Sequence, residues 1–293
     1  MPDTPETFTH ATGSYLRVGD AEIYHEFQGD LTQPTLLLLH GGLGDLTDFN
    51  AVAAPLARHF RLLGVDTRGH GRSTLGSAAL TYQRCEADVL ALLDHHGIDR
   101  CAVLGFSDGG IVGYRLAAHY GARVTSLVVV GAQWRLDPSD ATYGMLSGLT
   151  VEMWESMFPD SRARYESVNP EPDFERLVQR AVALWTDLTP TSYPGDHLRH
   201  IAAPTLVVRG DSDPLLSLAE VAALQACLPG ASVFNLPFAG HDAHRDSPQL
   251  FLQVVEDFLL QPRGRSIDVH AAEPPTSVSF WSGQRLQDDE TDA

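Results

Sequence analysis

The chain has 293 residues, enough for one large domain with a deep hydrophobic core. Its formal net charge of -18 argues against nucleic acid or an anionic membrane as a partner, because both are polyanions that repel an acidic surface. All 20 basic residues are arginine, which excludes a lysine Schiff base and the lysine of a nucleotide-binding phosphate loop.

Cysteine and histidine usage gives no sign of a disulfide framework or a metal site. The three cysteines are odd in number and far apart, and the 13 histidines do not occur at metal-ligand spacings. The chain does not start like a signal peptide, and no apolar segment reaches the ~18 residues that a membrane span needs. We therefore expect a cytoplasmic protein that needs no metal or cofactor; the oligomeric state stays open.

The first part of the chain alternates apolar runs with amphipathic stretches. Strands are predicted at residues 21–28, 35–40, 61–66, 101–106 and 124–131, and helices at about 49–58, 81–96 and 109–120. This alternation is typical of an α/β protein with a mostly parallel sheet and helices on both faces.

Residues 132–200 interrupt the alternation and hold three of the four tryptophans on segments of helical spacing. This composition predicts a helical cap whose aromatic residues fill a small core and partly cover a substrate pocket. Trp134 and Trp154 are our candidates for the pocket wall in the cap, and Leu43 is the candidate from the rest of the chain.

The alternation resumes with strands predicted at 204–210 and 232–237 and helices at 218–228 and 248–260. Residues 1–131 and 201–260 should thus form one core domain around the cap. The polar segment 261–293 has an acidic end and no apolar periodicity, and we expect it to be largely disordered.

Gly105-Phe106-Ser107-Asp108-Gly109 fits the G-x-S-x-G pattern between an apolar strand and a helix. In that context the serine lies on a strained turn that exposes its hydroxyl at the helix N-terminus, which suits a nucleophile. His40-Gly41-Gly42 follows another strand, and a turn of this kind supplies a backbone N–H to an oxyanion. We therefore predict the N–H groups of Gly42 and Asp108 as the oxyanion hole.

His241 and Asp213 follow the last two predicted strands, so both should lie at the sheet edge that carries Ser107. We predict His241 as the base and Asp213 as the acid that orients it. Asp211 is an alternative acid, less favoured because Asp213 reaches further from its strand. His244 is an alternative base that lies further from the strand end. His40 is better suited to shaping its own turn.

The segments HGGLGD (40–45), DTRGHGRS (66–73), GFSDGG (105–110), GDSDP (210–214) and AGH (239–241) resemble the signature set of the α/β-hydrolase superfamily over about residues 20–260. The resemblance implies the α/β-hydrolase fold, with an eight-stranded, mostly parallel sheet and a helical cap inserted after the sixth strand. Dehalogenases and epoxide hydrolases of this fold have an aspartate where Ser107 stands, so neither activity is expected.

The Ser107-Asp108-Gly109-Gly110 elbow also resembles that of valacyclovirase (the biphenyl hydrolase-like protein) and its group of amino-acid ester hydrolases. The resemblance implies that Asp108 binds the α-ammonium of the substrate. The alternative is that an acidic residue simply stabilises the positive end of a helix dipole.

The function expected from these residues is hydrolysis of an ester, or a related acyl bond, of a small molecule through a Ser–His–Asp triad and an acyl-enzyme. A carbon–carbon bond hydrolase or a cofactor-free perhydrolase could use the same triad. A ligand receptor that keeps the fold without turnover is the alternative from another functional class.

Overall fold

The computed structural model describes residues 7–261, and its centre is one sheet of eight strands. The strands are β1 (Ser14–Val18), β2 (Ala21–Gln28), β3 (Thr35–Leu39), β4 (Arg61–Val65), β5 (Cys101–Phe106), β6 (Val124–Val130), β7 (Thr205–Gly210) and β8 (Ser232–Leu236). Their order across the sheet is β1-β2-β4-β3-β5-β6-β7-β8. The pairs β1–β2 and β2–β4 are antiparallel and all others are parallel, which confirms the predicted mostly parallel sheet.

Helices flank the sheet and fill the connections between its strands. They are α1 (Asn50–Leu56), α2 (Tyr82–His95), α3 (Asp108–His119), α4 (Ala141–Ser147), α5 (Val151–Met157), α6 (Ser161–Val168), α7 (Phe174–Trp185), α8 (Leu218–Cys227), α9 (Ala243–Asp246) and α10 (Pro248–Leu260). Short 3-10 helices cover Leu46–Phe49, Gly121–Arg123 and Gly195–His200.

Two hydrophobic layers lie on opposite faces of the sheet, because successive side chains of a strand point to opposite faces. In β3, Leu37 and Leu39 belong to the layer that includes buried residues of α2, α3 and α8. Leu36 and Leu38 belong to the other layer, with buried residues of α1 and α10. A strand buried on both faces reads as a continuous apolar run, which is why TLLLL is recognisable in the sequence.

Helices α4 to α7 all lie between β6 and β7, in the stretch where the sequence alternation stops. Helix α7 begins at an Asp173 cap, whose side chain accepts the N–H of Arg176, and buries one face of Phe174, Leu177, Val178 and Ala181. The predicted disorder of 261–293 lies outside the described residues, apart from Gln261.

Strand β1 was not expected from the sequence. Its five residues, SYLRV, bury no side chain fully and have no apolar run, and it lies at the edge of the sheet. It forms because β2 offers it an antiparallel partner, with Tyr15 opposite Tyr24. Within residues 7–261, none of the helices has the length and apolar character needed to cross a bilayer.

Candidate active site

Ser107 connects β5 to α3 with a strained backbone of φ 50 and ψ -117. Two glycines make this turn possible. A Cβ on Gly105 would lie 2.4 Å from the carbonyl oxygen of Gly109, and one on Gly109 would lie 2.0 Å from that of Leu39. The N–H of Ser107 donates to the carbonyl of Val130 at 2.8 Å, which ties the turn to the neighbouring strand. The hydroxyl is therefore presented at the carboxyl edge of the sheet.

Ser107, His241 and Asp213 form one hydrogen-bonded chain. The Nε2 of His241 lies 3.0 Å from the Oγ of Ser107, and its Nδ1 lies 3.0 Å from Oδ1 of Asp213. Because a carboxylate only accepts, Nδ1 carries the proton, and Nε2 is left to accept from the serine hydroxyl. This is the geometry that a general base needs.

The carboxyl group of Asp213 is buried and held by the chain after β7. Its Oδ1 also accepts the backbone N–H of Leu215 at 2.9 Å and of Leu216 at 3.3 Å. Asp211, the alternative acid, has an exposed side chain and makes no hydrogen bond to His241. The structure thus brings Asp213, and not Asp211, to the histidine.

The other two candidate histidines have different surroundings. His244 is fully buried between the rings of Phe49 and Phe106, and this burial lowers its pKa to about 3. His40 directs Nδ1 to the carbonyl of Gly41 at 2.6 Å and accepts the N–H of Thr67 at Nε2, so it shapes the turn after β3. Neither ring bonds to Ser107.

The loop after β3 brings Gly42 next to the residue that follows the nucleophile. A Cβ on Gly42 would lie 2.6 Å from Oδ2 of Asp108. The backbone N–H groups of Gly42 and Asp108 donate no hydrogen bond to the rest of the described chain. Two unpaired N–H groups beside Ser107 are suited to bind an oxyanion.

The Asp108 side chain faces the same loop and receives two neutral donors. The Tyr82 hydroxyl donates to Oδ1 at 2.8 Å, and the indole N–H of Trp185 contacts Oδ1 at 2.9 Å and Oδ2 at 2.8 Å. Burial raises the pKa of this carboxyl, and the two donors offset only part of the increase. No arginine or histidine of the described chain forms an ion pair with it.

A cavity of about 770 Å³ opens above Ser107, Asp108 and His241. Its apolar wall comes mainly from the inserted segment and consists of Met145, Leu146, Leu149, Met153, Trp154, Met157 and Phe158, which include all three internal methionines of the chain. Methionine adapts its shape to different ligands, so this wall suits a bulky apolar group.

Two of the three candidates for the pocket wall lie at the cavity. Leu43 lines it with a left-handed backbone of φ 59, which is uncommon for a residue with a side chain, and Trp154 lines it from α5. Trp134 does not. It is only 4% exposed, belongs to a hydrophobic core cluster and carries the Arg135 guanidinium over its ring at 4.6 Å. Trp134 is thus not part of the cavity wall, because its side chain packs into the core, whereas its neighbour Gln133 does line the cavity.

Trp185 is the site residue that sequence reasoning missed. It lies 77 residues from Asp108, at the end of α7, and its spacing in the sequence indicates only a buried helix face. The contact depends on how the insertion folds back, for which the sequence contains no separate signal.

One group of metal-ligand side chains, formed by His10, Asp45 and Asp66, occurs among residues 7–261. Its ligand atoms already have partners. His10 bonds to Asp66 at 2.8 Å, and Asp45 pairs with Arg164 at 2.7 Å. The three side chains therefore form part of an internal network of hydrogen bonds and ion pairs.

Comparison with known proteins places these observations in a family. A family model described as alpha/beta hydrolase fold matches residues 34–188. The chain is 27% identical over 266 residues to the sn-1-specific diacylglycerol lipase ABHD11 of Mus musculus, covering 80% of this chain and 84% of that protein. It is 23% identical over 217 residues to 3-oxoadipate enol-lactonase 1 of Acinetobacter baylyi, covering 70% and 81%. The crystal structure of a hydrolase from Pseudomonas aeruginosa PA01 superposes with a TM-score of 0.68 at 29% identity, covering 85% of this chain and 98% of that one.

Proposed function

The chain belongs to the alpha/beta hydrolase fold family. We propose that it hydrolyses an ester or related acyl bond of a small molecule through Ser107, His241 and Asp213. Relatives of the chain are a lipase and an enol-lactonase by name, and the chain is an ester hydrolase of the same fold. The observation that carries the proposal is the hydrogen-bonded chain from Ser107 Oγ through His241 to Asp213, with 3.0 Å at each step.

In the proposed first step, His241 Nε2 takes the hydroxyl proton as Ser107 Oγ attacks the carbonyl carbon of the substrate. Asp213 keeps the proton on Nδ1 and stabilises the imidazolium that forms. The backbone N–H groups of Gly42 and Asp108 receive the oxyanion, and such a donor contributes about 2.7–4 kcal/mol to the transition state. His241 then gives its proton to the leaving alcohol.

In the second step, His241 takes a proton from the water that attacks the acyl-enzyme and returns it to Ser107 Oγ as the acyl–Oγ bond breaks and the carboxylic acid leaves. Residues 132–200 act in this proposal as a cap that selects the substrate. Its support is the apolar wall of Met145, Met153 and Met157 over the reacting groups.

The test is turnover of a small neutral aryl ester by the Ser107→Ala variant. We expect kcat to fall by about 10⁴-fold or more, because the nucleophile is removed while the fold is kept. Ser212→Ala, a change at an exposed serine, should keep wild-type activity and serves as the control. Full activity of Ser107→Ala would refute the proposal.

A finer part of the proposal concerns the substrate and follows from Asp108. Asp108 is partly buried and lines the cavity, and a carboxylate removed from water in this way is normally paired with a cation, whereas Asp108 has only neutral donors. We therefore propose that a substrate ammonium pairs with it, as the resemblance to valacyclovirase implies, so that amino-acid esters are preferred.

The measurement for this preference is the ratio of kcat/KM for an alanine ester to that of the matching propanoate ester. Asp108→Asn removes the charge but keeps the shape, and we expect it to lower the ratio by about tenfold or more. Asp211→Asn removes an exposed carboxylate outside the cavity and should leave the ratio as it is. An equal ratio for wild type and Asp108→Asn would exclude the ammonium site.

A further inference from the structure

Trp185, the last residue of α7, contacts both residues assigned to the oxyanion hole. Its indole N–H lies 2.8 Å from Oδ2 of Asp108, and its ring lies against Gly42, where a Cβ would be 2.6 Å from Cζ2. Only glycine permits this approach between the ring and the loop after β3. A side chain of the insertion thus touches both sides of the hole.

Trp185 is itself buried and tied to its surroundings. It is 7% exposed, and its backbone carbonyl accepts the hydroxyl of Tyr193 at 2.8 Å. The Tyr193 ring packs edge-on against Tyr82, which donates to the same Asp108 carboxylate. Trp185, Tyr193 and Tyr82 therefore form a closed frame around Asp108, which we call the Asp108 frame.

The negative charge of the Asp108 carboxylate explains why a frame of hydrogen-bond donors around it would assist the reaction. The Asp108 carboxylate lies against the backbone of Gly42, next to the place where negative charge develops on the substrate oxygen. Like charges at short range in a poorly solvated site repel each other strongly. Two donors that hold the carboxylate in one orientation and accept part of its charge keep it from opposing the oxyanion.

We propose that Trp185 is a positioning residue of the oxyanion hole, which it controls through the Asp108 carboxylate and the Gly42 loop. The inference rests on the proposed Ser107 mechanism and extends it. Trp185 belongs to the inserted segment 132–200. The position of this segment over the sheet therefore determines how well the oxyanion hole stabilises a transition state. Trp154, whose ring centroid lies 6.3 Å from that of Trp185, connects the frame to the apolar wall of the cavity.

The experiment uses the full chain and a neutral aryl ester, so that no substrate ammonium is involved. Turnover by wild type and its loss in Ser107→Ala are established first. Trp185→Phe keeps a ring against Gly42 but removes the N–H donor. We expect kcat to fall about tenfold with KM changed less than about twofold, because the donor acts on the transition state. Affinity for an alkyl boronic acid, which forms a tetrahedral anionic adduct with serine, should fall in parallel.

The matched control is Trp134→Phe. This change removes an indole N–H that has no hydrogen-bond partner and lies outside the cavity wall, so kcat and boronate affinity should stay at wild-type values. A second control is the Asp108→Asn background. If Trp185 acts through the carboxylate charge, Trp185→Phe should lower kcat there by less than about threefold.

Two results would overturn the inference while leaving the Ser107 mechanism intact: an unchanged kcat for Trp185→Phe, or the same tenfold fall in the Asp108→Asn background. Should Trp185→Phe not fold, Tyr82→Phe removes the other donor from the same carboxylate and is judged by the same criteria. Activity that persists in Ser107→Ala would instead refute the mechanism on which the inference rests.

Discussion

Gly131 follows β6 at a point where a side chain would separate the acid from the base. Its backbone has φ +58, and its N–H donates to the carbonyl of Val208 at 2.9 Å. A Cβ there would lie 2.9 Å from Nδ1 of His241 and 3.0 Å from Oδ2 of Asp213. Glycine at this position therefore meets two demands, a left-handed backbone and the space for the hydrogen-bonded pair.

We predict that Gly131→Ala lowers kcat by about 10–100-fold, because small displacements of catalytic groups reduce the rate strongly. Gly97→Ala is the matched control, since Gly97 has φ +63 and nothing within 4 Å of a Cβ. Both variants should lose about 1–2 kcal/mol of stability from the left-handed backbone, measured by urea unfolding. If the two variants kept the same kcat, the packing argument for Gly131 would fail.

Among the elements, helix α6 is joined to the segment after β3 by ion pairs of Arg164. The guanidinium donates to Asp45 at 2.9 Å and to Asp48 at 2.9 Å, and both carboxylates lie after β3, near the cavity. Burial would raise the pKa of Asp45, but the pairing with Arg164 prevails and lowers it to about 2. The depressed pKa means that the pairing contributes stability above the unfolded pKa near 3.8, which is lost as the pH falls towards 2.

Arg164→Gln should lower the free energy of unfolding at pH 7 by about 1–2 kcal/mol, because buried Asp45 loses its arginine and Asp48 keeps only Arg245, at 3.7 Å, while Arg164 was itself partly exposed. The KM should also rise, because α6 forms part of the cavity wall. The control Arg162→Gln lies on the same helix, but Arg162 pairs with Glu155, Glu166 and Glu175 within the insertion. A wild-type KM and stability for Arg164→Gln would show that the ion pairs of Arg164 with Asp45 and Asp48 have no such effect.

At the scale of the whole molecule, buried histidines make stability depend on pH. Burial lowers the pKa of His70 and of His244 to about 3 each, against an ordinary value of 6.5. Between these values the unfolded chain binds a proton at each histidine that the folded chain does not. Stability therefore falls as the pH decreases below 6.5, by up to about 1.4 kcal/mol per pH unit for each histidine.

We predict that His244→Phe, which places an apolar ring among Phe49, Phe106 and Phe251, reduces this dependence. Between pH 6 and 5 the slope of the unfolding free energy against pH should decrease by about 1 kcal/mol per pH unit. Urea unfolding of both proteins at several pH values measures it. An unchanged slope would mean that His244 takes up its proton in the folded protein as well.

The core of the fold was predictable because local signals agree with the tertiary structure. Strand β5 and helix α10 have the predicted boundaries, since a buried parallel strand and an amphipathic helix leave distinct apolar patterns. Strand β1 has no such pattern and depends on its partner β2. The ion pairs of the turn at 66–73 likewise have no local pattern, because Arg68 pairs with Asp20 and Asp88, which are both remote from it in the chain.

Local sequence patterns encode the alternation of strands and helices, and with it the sheet edge where Ser107, His241 and Asp213 meet. These residues follow strand ends, so their meeting requires only that parallel strands share an edge. Only the folded chain shows that Trp185 reaches Asp108, that Trp134 packs into the core and that Arg164 pairs with Asp45. Such contacts join elements far apart in sequence, and no local periodicity encodes the docking of one helix over another.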